Sequence, residues 1–376
     1  MNDKKKLVFA AFAVILASAF FDNIRGPLLP LFARGYGLNY SQASAFFWGS
    51  SLTSVLIGLG SVYLLARFSE RAYLRLCLLG MGLAVLAAGI PTYPALVVSG
   101  LLWGANNGIG MASNLVLMRG TDDRNRTRLM SALHLFYTLG AALPPAYVAA
   151  TAGRWAPNLV VLPVLLLVLG LVLVTAALPA DGAHAEPAPR MPWSAMLRGR
   201  PLASVLVIAV YVLGEVLTSM WLVTYLSGRG GLSVADASTR MQVCFLWMSA
   251  SRLLGAFALP HGSERWLPAP LMLGAVAGSA LGMSGRVEGF YLAYFCFGPI
   301  FPLLGSRLAQ EHKQYFPSLL SFAYAAMTVL LAVGHLLIGA VSDRFSLQTA
   351  FRLPGLCLLA AVGLLAWHAR AEPARE

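Results

Sequence analysis

The sequence predicts an all-α membrane protein of about twelve transmembrane helices, arranged as two six-helix pseudo-repeats. Three observations carry that prediction. The 376 residues are 58% hydrophobic and 11% charged, whereas a soluble domain carries roughly 25% charged residues. Apolar runs of about 20 residues recur along the whole chain, each long enough to cross a hydrocarbon core about 30 Å thick as a helix. Short patterns near the start of the chain return in its second half.

Read between polar punctuation, the first six runs fall at 7–33, 41–66, 72–91, 93–118, 128–152 and 156–179. The first follows Lys4, Lys5 and Lys6 and contains the small residues Ala17, Ser18 and Ala19, which gives it the look of a secretory signal. It runs past Asp22 to Leu31, too long for a cleaved hydrophobic region, and reads as a helix with a kink expected at Pro27 and Pro30. After residue 179 comes the longest polar break, 180–199, with Pro187, Pro189 and Pro192 among small and charged residues. It reads as a linker between halves. The second six runs follow at 200–227, 235–260, 266–284, 287–309, 318–342 and 348–369. The division expected is therefore a bundle at 1–179, a cytoplasmic linker at 180–199 and a bundle at 200–376.

The repeated patterns support that division. Gly37-Leu38-Asn39-Tyr40-Ser41-Gln42-Ala43-Ser44 enters the second run, and Gly231-Leu232-Ser233-Val234-Ala235-Asp236-Ala237-Ser238 enters the eighth. Gly153-Arg154-Trp155 leads to Pro163, as Asp343-Arg344-Phe345 leads to Pro354. Asp22 in the first helix then corresponds, within one residue, to Glu215 in the seventh.

A net charge of +12 raises the question of nucleic acid, but the distribution answers it. Most of the 27 Lys and Arg, among them Arg71, Arg75, Arg124, Arg126, Arg198 and Arg200, fall on one side of the alternating spans. This positive-inside bias places both termini in the cytoplasm of a multi-pass inner-membrane protein. It leaves no nucleic-acid partner to explain. Cys77, Cys244, Cys296 and Cys357 all lie within expected helices, as buried thiols rather than a disulfide framework or a metal cluster. There is no phosphate-binding loop of the kind an ATP-driven pump needs. Neither a cofactor nor a metal is expected. Asn125-Arg126-Thr127 matches a glycosylation sequon but falls in an expected cytoplasmic loop.

Tyr211-Val212-Leu213-Gly214-Glu215, followed by Trp221-Leu222-Val223-Thr224-Tyr225-Leu226, and Ile300-Phe301-Pro302 further on, resemble the seventh and tenth helices of the fucose/glucose/galactose–proton symporter group. Over nearly its whole length the chain resembles the major facilitator superfamily. That resemblance implies the major facilitator fold and a secondary transporter working by alternating access, without catalysis. It also implies a monomer in the bilayer with a small-molecule substrate and protons as partners. The superfamily's cytoplasmic signature between the second and third helices is reduced here to Gly60 and Arg67-Phe68-Ser69-Glu70-Arg71, which puts the usual gating contact in doubt.

An ionisable group inside a bilayer costs about 2.5 to 3.5 kcal/mol on insertion scales, so it is a functional candidate by default. Asp22 and Arg25 share a face of the first helix and can pair. If the pair opens during transport it can act as a proton switch; the alternative is a permanent structural pair. Glu215 has no basic residue within a turn, its nearest same-face polar neighbour being Tyr211, and it suits a group that takes up and releases a proton. The competing reading pairs it across the bundle with Arg25 or Arg252. His134, followed by Tyr137 and Thr138, is a candidate relay or substrate donor because imidazole titrates near neutral pH; a packed histidine is the alternative, as it is for His335. Asn106, Asn107 and Asn114 offer donors and acceptors to a polyhydroxylated solute, or act as glue between helices. Trp221, Tyr225, Tyr291, Tyr294 and Phe297 are candidates for a cavity wall. The reading favoured is proton-coupled symport of a small polar, sugar-like solute. The alternatives are a proton-driven exporter of amphipathic compounds, and a membrane receptor or enzyme without transport.

Overall fold

The computed structural model describes residues 3–120, 123–178, 191–229, 231–260 and 262–370. Among them every regular element is helical, and the long ones follow the apolar runs in order. In the first half, α1 is Asp3–Gly35, and α2, Ala45–Arg67, follows a single turn at Tyr40–Ala43. Next come α3, Glu70–Ala88, and α4, in two pieces, Tyr93–Trp103 and Ala105–Gly120. The half closes with α5, Asp123–Thr151, and α6, Asn158–Val174. In the second half, α7 is Gly199–Gly228, α8 Val234–Ala258 and α9 Pro268–Met283. It ends with α10, Glu288–Glu311, α11, Phe316–Arg344, and α12, Leu353–Arg370. Residues 180–190 of the expected linker lie outside the described residues.

Among the described residues, seven helices are long and apolar enough to cross a membrane unbroken, and Asn158–Val174 and Pro268–Met283 are shorter apolar helices. Of the others, α4 is divided by Gly104, and α8 is diluted by Gln242, Ser249, Ser251 and Arg252. The glycine at that break is a packing requirement, since a Cβ there would lie 2.8 Å from the Ser50 carbonyl oxygen and 2.9 Å from the Ser54 nitrogen of α2. Leu76, Leu79, Leu83 and Leu86 of α3, and Leu162, Leu166, Leu169 and Leu173 of α6, are exposed at helical spacing. Stripes of that kind would be aggregation sites in water and are ordinary surface in lipid.

The repeated pattern seen in the sequence has a backbone meaning. Gly37 and Gly231 take φ of 63° and 64°, the left-handed conformation that ends a helix at least cost in glycine. Two residues later Asn39 and Ser233 cap the next helix, accepting from the Gln42 and Asp236 backbone nitrogens. Each half thus encodes the same stop and restart. Twelve crossings leave both termini at one end of the bundle, here the terminal end; these turns lie at the opposite, far end.

The two halves close on each other at the far end through small residues. A Cβ on Gly26 of α1 would lie 3.1 Å from the Met220 carbonyl oxygen of α7, and one on Gly339 of α11 would lie 3.0 Å from Cα of Ser41. Backbones this close gain van der Waals contact that larger side chains would prevent. Within the second half, a Cβ on Gly278 of α9 would lie 2.7 Å from both the Ala293 nitrogen and the Gly289 carbonyl of α10, whereas a Cβ on Gly305 would meet nothing within 4 Å beyond its own helix. Gly278→Ala should therefore destabilise by about 1–3 kcal/mol through overpacking, while Gly305→Ala, which only improves helix propensity, should be neutral or stabilising. Melting of the detergent-purified variants checks this; equal melting temperatures would contradict it.

Candidate functional site

Midway along α1, Asp22 accepts from two donors. The Arg25 guanidinium lies 2.5 Å from Oδ1, and the Tyr137 hydroxyl of α5 donates to Oδ2 at 2.7 Å. Arg25 also donates to the Ser50 hydroxyl of α2 and stands over the Phe47 ring, 5.8 Å from its centroid. The Asp22 side chain keeps 35% of its exposure against 11% for Arg25, so the carboxyl faces open space while the guanidinium is its buried counter-charge.

The second half builds a counterpart with a different balance. The Tyr211 hydroxyl lies against the Glu215 carboxyl one turn along α7 and 3.1 Å from the Phe297 carbonyl oxygen of α10. A phenol has one proton to donate and here faces two acceptors. Tyr294 donates to the Ser219 hydroxyl at 3.0 Å, and Ser219 donates to the Glu215 carbonyl at 3.0 Å.

Arg252 of α8 ties the halves together. Its Nε donates to the Gly298 carbonyl at 3.0 Å, and its Nη1 to the Thr138 hydroxyl of α5 at 2.5 Å, with the His134 carbonyl at 3.5 Å. The Gly298 carbonyl is available because the residue four positions on is Pro302, which has no N–H to bond back within the helix. The Phe-Pro pair picked out in the sequence thus supplies a free acceptor to a cation from the neighbouring helix. The sequence offers Arg252 only as an alternative partner for Glu215 and Thr138 only as a neighbour of His134, and it gives Ser50 no part. An arginine in the middle of an apolar run is the signal for the first; nothing marks Ser50.

The remaining candidates divide by place. Asn106 donates to the Ser18 carbonyl of α1 at 3.0 Å and Asn107 to the Ser54 carbonyl of α2 at 3.1 Å, so both tie helices together, while Asn114 donates to Gly110 of its own helix at 2.9 Å. The Asn106 Oδ1 is buried without a partner. Trp221 is fully buried and donates to the Nδ1 of His335 at 3.1 Å; with Phe47, whose ring is 4.6 Å from that of His335, it forms a plug between α2, α7 and α11. Tyr225 stacks on Phe351 at 4.4 Å, and Tyr291 accepts from Arg240 at 3.0 Å; both stand toward the far end, away from the acids. Cys77, Cys244, Cys296 and Cys357 are buried free thiols.

The far end is latched by Asp343. Its carboxylate accepts the Tyr40 and Ser41 backbone N–H groups at 2.9 and 2.8 Å, joining the last turn of α11 to the turn that starts α2.

The sequence profile of the Major Facilitator Superfamily matches residues 11–306. No curated protein matches the chain in sequence. Among solved structures, a bacterial homologue of the human lysosomal transporter Spinster, in an inward-facing and occupied conformation, has a TM-score of 0.78 at 11% identity, covering 99% of this chain and 98% of its own. A mutant of the nucleoside transporter NupG has 0.75 at 14%, covering 98% and 100%. The Major Facilitator Superfamily transporter FucP, in the outward conformation, has 0.62 at 16%, covering 96% and 98%.

Proposed function

The chain belongs to the Major Facilitator Superfamily of membrane transporters, and from that premise we propose that it is a proton-coupled symporter importing a small polar, sugar-like organic solute. The residues 1–179 and 200–376 are the two bundles that rock about the central acids, with 180–199 as the cytoplasmic linker. Both termini lie in the cytoplasm, the far end faces outward, and the protein works as a monomer in the inner membrane.

The observation that supports coupling is the Tyr211 hydroxyl between the Glu215 carboxyl and the Phe297 carbonyl. With Glu215 ionised, the phenol donates to it and the carbonyl goes without. With Glu215 protonated, the carboxyl donates to the phenol oxygen and the phenol proton turns to the carbonyl. Two complete arrangements differ by one proton and one hydroxyl rotation, which suits a group that loads and unloads a proton. Asp22, held by Arg25 and Tyr137, suits the opposite role of a fixed charge that opens only when the pair is broken. Arg25, Ser50, Tyr137 and Arg252 offer donors to a polyhydroxylated solute. Of the aromatic wall candidates, Trp221 is spent on the plug and Tyr225 and Tyr291 on far-end packing, while Tyr294 turns its hydroxyl to Ser219 beside Glu215, so the polar reading is preferred to drug export.

The test is flux in proteoliposomes. Uptake of labelled hexoses should rise when the compartment they leave is made acidic, with matching proton entry. Substrate movement indifferent to an imposed pH gradient would overturn proton coupling, and no hexose flux would overturn the substrate class.

A further inference from the structure

Among the described residues Arg252 makes no ion pair, whereas Arg25 has Asp22. Its hydrogen bonds run to neutral acceptors, the Gly298 and His134 carbonyls and the Thr138 hydroxyl. Resting on the reading of a proton-coupled carrier for a sugar-like solute, we propose that its central site prefers a sugar acid, whose single carboxylate binds Arg252 when Glu215 is protonated.

Arginine keeps its charge in any protein setting, and a charge within a membrane marks a pairing or a substrate path. A purely structural tie accounts for Nε and Nη1, which hold α10 and α5. It does not account for Nη2, whose two N–H groups have no partner among the described residues and which keeps accessible surface. The ring of His134, within reach of the Arg252 charge, likewise has no hydrogen-bond partner among the described residues and is not sealed in. A carboxylate has two oxygens able to accept from such donors, and its bond to a guanidinium is charge-assisted.

Glu215 decides when that charge is free. The Tyr211 hydroxyl against Glu215 reaches the Phe297 carbonyl, and Arg252 takes the next one, Gly298, so acid and cation stand at consecutive positions of α10. The other titratable groups here are Tyr294 and Cys296 on α10 and His134 on α5. On α1, Asp22 pairs with Arg25. On α11, His335 accepts the Trp221 N–H at Nδ1 and is therefore neutral, and α12 meets Gly214 through the uncharged Pro354 and Leu358.

With Glu215 ionised, its charge offsets that of Arg252 across this short gap. With Glu215 protonated, one positive charge is uncompensated, and an anion of one charge cancels it. A phosphate monoester carries about 1.5 to 2 negative charges near neutral pH and would leave the site negative. The match is to a carboxylate. Proton and anion then load together, and the cargo as a whole carries no net charge.

The test uses the full-length chain with D-glucose, D-glucuronate and D-glucose 6-phosphate as probes, at mildly acidic pH where a sugar carboxyl stays ionised. Read by ligand-dependent melting, glucuronate should bind about tenfold tighter than glucose, the gain of one charge-assisted bond, and glucose 6-phosphate more weakly than glucuronate. In Arg252→Gln the preference for glucuronate over glucose should disappear. The native affinity for glucuronate should rise as pH falls, because protonation of Glu215 frees the cation; in Glu215→Gln it should be tight and independent of pH. Should Arg252→Gln fail to fold, the native chain carries the test electrically. In proteoliposomes on a solid support, proton-coupled glucose uptake should give a current and glucuronate uptake none. Glucose moving with protons while glucuronate binds no tighter would leave the transport reading standing and overturn the sugar acid. So would a glucuronate current as large as that of glucose, tighter binding of glucose 6-phosphate, or a preference that survives Arg252→Gln. A pH dependence that survives Glu215→Gln would overturn the control by Glu215. Failure of both sugars to bind or move would overturn the transport reading and the sugar acid with it.

Discussion

Glu215→Gln should abolish gradient-driven accumulation while leaving downhill exchange of substrate intact. A proton crossing a one-unit pH gradient releases about 1.4 kcal/mol, enough for about tenfold accumulation of a neutral solute. Glutamine keeps the shape of the protonated carboxyl and its amide can donate to the Tyr211 oxygen as the carboxyl O–H would, but it cannot release a proton. The variant should therefore mimic one of the two arrangements around Tyr211 permanently, and the accumulation ratio should fall to one. Exchange needs no net proton release and should survive. Glu215→Asp should be intermediate, because it still titrates but no longer reaches Tyr211 from the same backbone position. The paired assay is counterflow and pH-driven uptake in the same proteoliposomes. Retained accumulation in a well-folded Glu215→Gln protein would remove Glu215 as the coupling group and move the role to Asp22.

The helices were legible in the sequence because lipid imposes one rule everywhere: a span must be apolar for about 20 residues and satisfy its backbone internally. The repeated Gly-Leu-Asn and Gly-Leu-Ser patterns were legible for a related reason. A left-handed glycine followed by a cap is local chemistry, and Gly37 with Asn39 and Gly231 with Ser233 keep it in both halves. The Asp22–Arg25 pair and the Tyr211–Glu215 contact were also within reach, since residues three or four apart on a helix are neighbours.

What could not be read was any contact between helices distant in sequence. Tyr137 meets Asp22 across 115 positions and Arg252 meets Thr138 across 114, separations that no periodicity encodes. The aromatic residues show the same limit. Trp221 and Tyr225 sit one turn apart on α7 in an equally apolar run, yet one closes the plug against His335 and the other stacks on Phe351. Composition marks both as wall candidates, and only the packing of α11 and the Phe351 segment separates them. Asp343 was quoted in the sequence merely as half of a repeat. Its action depends on two N–H groups about 300 residues away in the chain, which the repeat pattern does not reveal.

Asp343→Ala should shift the carrier toward the conformation open at the far end. The carboxylate accepts two backbone N–H groups at the start of the turn before α2, where unpaired N–H groups concentrate partial positive charge. Charge-assisted bonds contribute about 1.5–3 kcal/mol each in buried settings, and exposure at this site reduces that figure through solvent screening. Even one net kcal/mol or so, on the order of a fivefold to tenfold shift in population, is large for a carrier whose two conformations must lie close in energy. Asp343→Asn should do nearly the same damage, because a carboxamide offers one acceptor and turns an N–H donor toward the second backbone N–H. That distinguishes a specific two-acceptor latch from a mere loss of volume, for which asparagine would be a faithful replacement. The measurement is the rate at which an impermeant maleimide, added from outside, labels a Ser44→Cys reporter, since Ser44 is fully buried at the crossing with Gly339. Labelling should accelerate about fivefold to tenfold in both Asp343 variants relative to the same reporter with Asp343 intact. Unchanged labelling in Asp343→Ala would show that Gly26, Met220 and the Trp221–His335 plug hold the far end closed without the latch.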